Sequence, residues 1–81
     1  MAVSADRLSA EAMSVEFAGD SMRVVLADGR EISAPLEWFP RLRDASEAQR
    51  LNWRLIGRGE GVHWPNVDED VSVNALLGLP T

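Results

Sequence analysis

A chain of 81 residues, 46% hydrophobic and 26% charged, has room for one small folded domain and is too apolar for wholesale disorder. The lack of cysteine removes disulfide staples, thiolate zinc sites and cysteine nucleophiles and points to a reducing cytoplasm, while the single histidine, His63, excludes a metal centre that needs several imidazoles. A net charge of -5 is the wrong sign for gripping a phosphate backbone unaided, and neither a secretory signal nor an apolar run of about 20 residues is visible, so direct nucleic-acid binding and membrane insertion are not expected.

Residues 1–12 hold two Ser-containing stretches around Leu8 and read as a poorly ordered lead-in, leaving 13–81 as a single domain. Met13, Val15 and Phe17 alternate with Ser14 and Glu16, the period of a half-buried strand. Ala18-Gly19-Asp20-Ser21 supplies turn residues, and Met22, Val24 and Leu26 resume the alternation. Asp28-Gly29 is the composition of a two-residue hairpin turn, and the return strand carries Ile32 and Ala34 up to Pro35. The stretch 13–34 therefore predicts a three-stranded antiparallel meander.

Leu36, Trp38, Phe39 and Leu42 occupy a short helix or turn that Pro40 keeps irregular. Ser46-Glu47-Ala48-Gln49 is a capping box, and the helix it opens is expected to run to Ile56 and stop at Gly57. On such a helix Ala48, Leu51 and Leu55 share one face, and Arg50, Arg54 and Arg58 form a stripe with Trp53 beside it. The glycines of Gly57-Arg58-Gly59-Glu60-Gly61 read as a hinge; a phosphate loop would need a Lys and a following helix. Val62-His63-Trp64 is a fourth strand ended by Pro65, and Ser72 caps a last helical turn over Val73 to Leu77. The sum is an α+β fold, β-β-β-α-β-α, with the meander and fourth strand packed on one or two helices.

Two groups of residues invite a functional reading. Positions 36–58 hold five arginines against three acids, the one positive third of the chain, so Arg50, Trp53, Arg54 and Arg58 are the candidate partner-binding residues. The bland alternative is a solvated face neutralised by Glu47 and its neighbours, with Trp53 covered by Trp38 and Phe39. His63 with Asp68, Glu69 and Asp70 could bind a cation or pair as base and acid. No second histidine or matched nucleophile accompanies them, and a turn-closing role for Asp68 or Asp70 explains the same residues. Trp64 before Pro65 reads as a core plug.

The ordered run Phe39-Pro40-Arg41-Leu42, Ala45 to Arg50 with Trp53, Ile56-Gly57, Val62-His63-Trp64-Pro65, Asp68 to Val73 and Leu76-Leu77, with Leu26 and Asp28-Gly29-Arg30 before it, resembles the DUF2442 family of small bacterial proteins over about residues 13–78. The resemblance implies a small α+β domain of unknown function. Some members are fused to a helix-turn-helix domain, and others lie beside a second small protein as in a toxin–antitoxin pair; it implies no catalytic residues. At this length no DNA-reading domain is expected, so a DNA-linked role would need a partner.

The reading that follows is a non-enzymatic protein-interaction module, an antitoxin-like or accessory half of a two-protein system. Its expected partner is a small basic protein encoded nearby or a second copy of the chain, and no cofactor is expected. The alternative is a small-ligand or metal-dependent protein using His63 and the Asp68 to Asp70 turn.

Overall fold

The computed structural model describes residues 9–78, folded as two three-stranded antiparallel sheets with three short helices and one 3-10 turn. The first sheet is the expected meander: β1 (Ala12–Ala18), β2 (Ser21–Leu26) and β3 (Glu31–Pro35) pair in sequence order. The second, β4 (Arg54–Ile56), β5 (Gly61–Trp64) and β6 (Glu69–Ser72), contains one expected strand and two unexpected ones. The α+β class holds, but sheet contributes more of it than the sequence predicts.

In the meander, Met22, Val24, Leu26 and Ala34 point inward as the alternation requires. Met13 does not. The register shifts between Ala12 and Ser14, so Met13 sits on a bulge and is 61% exposed, and Ala12 takes the buried place. Gly19-Asp20 forms the two-residue connection, between the paired Ala18 and Ser21, with positive φ at Gly19 alone as a type II′ turn demands. The Asp28-Gly29 loop is one residue longer than predicted. Leu26 N–H donates to the Arg30 carbonyl at 2.8 Å, closing a loop of Ala27, Asp28 and Gly29 in which only Gly29 has positive φ.

The expected lead-in is described from Ser9 onward, and residues 1–8 lie outside the described residues. Ser9 N–H donates to Asp28 Oδ2 at 2.8 Å, and Glu11 and Ala12 bond Ala27 and Gly59 through the backbone.

Pro40 opens α1 (Pro40–Arg43) at its first position, after the 3-10 turn Leu36–Trp38. The capping box of α2 (Glu47–Leu51) is complete: Gln49 N–H donates to Ser46 Oγ at 3.1 Å, and Ser46 N–H donates to Gln49 Oε1 at 3.0 Å. The helix nevertheless ends at Leu51, not Ile56. Five residues of isolated helix gain little by growing to ten, since both lengths are marginal in water. As strand β4, Arg54 to Ile56 instead pair with β5. The Gly57 to Glu60 stretch, expected as part of a hinge, is thereby the loop of a β4–β5 hairpin, with Gly59 N–H bonded to the Ile56 carbonyl at 3.0 Å.

Ser72 caps α3 (Val73–Leu76) as predicted, accepting from Ala75 N–H at 3.3 Å. The core lies between the two sheets, where Val15, Met22, Val24 and Leu26 meet Leu36, Leu42, Val62, Trp64, Val71 and Val73. Trp64 is fully buried, so it is the plug its position suggested.

Candidate interaction face

The second sheet places the candidate residues on its two sides by parity. Val62, Trp64 and Val71 are buried toward the core, so their neighbours Gly61, His63, Asp70 and Ser72 belong to the outer face. Register then aligns Arg54, His63 and Asp70 in one cross-strand row, with Ile56, Gly61 and Ser72 in the next. His63 Nδ1 is hydrogen-bonded to Asp70 Oδ1. The two side chains thus form a cross-strand pair on the outer face.

The three acids of the turn do not converge on His63. Asp68 has φ of 52° in the connection before β6, and its carbonyl accepts from Arg41 Nη1 at 2.6 Å. Glu69 lies on the opposite face from Asp70, and its Oε1 accepts the Asp70 N–H at 3.1 Å. Among the described residues no group of three His, Asp or Glu side chains is placed to hold a metal ion.

The four candidate partner-binding residues are dispersed, because the helix that would have aligned them stops at Leu51. Arg50 is a structural clamp. Its Nε donates to the Leu42 carbonyl at 2.8 Å and its Nη2 to the Arg43 carbonyl at 2.7 Å, while its guanidinium lies 5.6 Å from the centre of the Phe17 ring. The Arg50 carbonyl in turn accepts from the Trp64 indole at 3.0 Å, and Phe17 meets Trp64 edge-on at 6.3 Å. Trp53 is half-buried against the core. Arg54 is exposed on the outer face beside His63, and Arg58 is exposed in the β4–β5 loop, its N–H donating to Glu60 Oε2 at 2.7 Å.

The exposed tryptophan is another one. Trp38, in the 3-10 turn, is 64% exposed, and with Phe39, Ala75 and Leu76 it lines a groove of about 270 Å³ along one side of β6. Ile56, 40% exposed, lines a second groove of about 290 Å³ with Glu60 and Gly61 on the other side. Asp70, Val71 and Ser72 belong to both. The sequence held signals for this surface: Val71 between polar neighbours is strand period, and Leu55-Ile56 followed by glycines and Val62 is a hairpin pattern. The capping box and the acidic turn drew those residues into helix and loop instead.

Among the described residues no helix is long and apolar enough to cross a membrane. The profile of the family described as "Protein of unknown function (DUF2442)" matches residues 12–79. Comparison with curated proteins finds no match. Among solved structures, the fold is similar to that of a protein of unknown function from Rhodospirillum rubrum ATCC 11170, with a TM-score of 0.69 and 25% identity over 85% of this chain and 87% of that one.

Proposed function

The chain belongs to the DUF2442 family, and we propose that it works as a non-enzymatic protein-interaction module, an accessory or antitoxin-like half of a two-protein system. One observation carries this reading: two apolar grooves, with Trp38 64% and Ile56 40% exposed, flank the same short edge strand. Tryptophan is among the residues most enriched as anchors of protein interfaces. Arg50 and Asp28, by contrast, are engaged in holding the fold. Purification of the tagged chain from its own host is expected to return a second protein at equal stoichiometry. Recovery of a stable monomer alone would sink the reading.

The His63–Asp70 pair favours one competing reading, a small-ligand or metal site. A ligand present at 100 times its dissociation constant adds about 2.7 kcal/mol of stability. Thermal melting with divalent cations therefore separates the two, since the interaction module predicts no such shift.

A further inference from the structure

We propose that the open edge of β6 is completed by an extended, basic strand of a partner protein, an inference that rests on the interaction-module reading and names its mode. Among the described residues β6 is the last strand of its sheet, paired on one side only, with β5. The Val73 N–H bonds the Glu60 carbonyl at 3.0 Å, so the antiparallel alternation turns the backbone groups of Val71 and Glu69 toward β5 and those of Ser72 and Asp70 outward. The Asp70 N–H, facing out, is held by the side chain of its own neighbour Glu69. Just before the strand, the Asp68 carbonyl is held by Arg41. The Glu69 carboxylate thus stands in for a ladder acceptor at Asp70.

A strand laid along this edge sends successive side chains to opposite faces. One falls into the groove of Trp38 and Leu76 and the next into the groove of Ile56 and Gly61, so two adjacent apolar residues are accommodated. Charge decides what flanks them. Residues 59–81 hold four acids and no base, and Glu60, Asp68, Glu69 and Asp70 all lie at or beside this strand. A second copy of the chain would bring the same acids against each other, at a cost from like charges placed opposite across strands. Arginine or lysine on the incoming strand would instead meet complementary charge.

The probe is a synthetic eight-residue peptide with two central valines flanked by arginines, titrated into the full chain and followed by backbone amide and indole NMR shifts. Shifts centred on Asp70 to Ser72 and the Trp38 indole are expected. A glutamate-flanked peptide should bind at least tenfold more weakly, as should one whose valines are replaced by proline, which lacks the ladder N–H. The double variant Glu69→Lys with Asp70→Lys should reverse the charge preference, its unchanged shifts in β1 to β3 showing that it folds. Equal binding of the proline peptide, shifts centred on Phe17 and Leu51, or no binding overturns the strand-addition mode. If a stoichiometric partner is nonetheless recovered from the host and its footprint avoids β6, the module reading survives while this inference falls.

Discussion

Arg50 shows how a residue's type was legible while its use was not. A basic side chain beside Trp53 suggests a binding surface, yet its guanidinium is spent on two carbonyls and an aromatic face. Hydrogen bonds from a charged donor contribute about 1.5–3 kcal/mol. Arg50→Met is expected to lose that amount in urea unfolding, and Arg50→Lys to recover only part of it, because an ammonium cannot fork to two carbonyls and stack at once. A lysine variant as stable as the parent would refute the clamp. Asp28 acts by its charge state. The Arg30 and Ser9 backbone N–H groups, in that order, hold its carboxyl below the usual carboxylate range. A depressed folded value contributes stability above the unfolded value of about 3.9, which is lost as pH falls through the folded value. Melting temperatures of the parent and Asp28→Asn should therefore differ near neutrality, begin to approach each other at about pH 3.9, and meet once pH falls below the depressed folded value. A gap that stays constant down to acid pH would contradict this.

The β4–β5 hairpin is the element that most changes the expected picture, and its loop is fastened to the other sheet. The carbonyl of Gly59, a residue at φ 107°, accepts from Ala12 N–H at 2.7 Å, and a Cβ on Gly59 would lie 2.5 Å from the Ala12 carbonyl oxygen. Gly59→Ala therefore meets positive-φ strain and a backbone clash, each about 1–3 kcal/mol. Gly19→Ala, at φ 57° with nothing within 4 Å, meets the strain alone. Chemical denaturation should rank the Gly59 variant as much the less stable, and similar losses would mean that the hairpin does not need its seat on Ala12. The three-stranded meander was readable from alternation and Gly19, and the capping box correctly marked where α2 starts. Its end was not readable. Local propensity in 52–56 is compatible with helix or strand, and the decision belongs to β5, which lies in a later part of the chain and offers Arg54 to Ile56 a ladder. The Met13 bulge escaped for a related reason, since one inserted residue reverses which side chains face the core.

At the scale of the molecule, the fold described over residues 9–78 is small, and small domains bury a modest share of their chain's surface. A partner that binds only the folded state raises its stability by mass action. Titrating the recovered partner should raise the melting temperature progressively, and the rise should shrink as salt screens the acidic β6 edge. A salt-independent rise would remove charge from the account of recognition. The amino-acid sequence by itself determined the α+β class, the meander, Trp64 as core plug and the family, because period, turn residues and ordered motifs are local properties. The second sheet and its open edge were decided only by tertiary structure. Strand pairing, and with it the exposure of Trp38 and the alignment of Arg54, His63 and Asp70, depends on neighbours far apart in the chain whose mutual preference no short window contains.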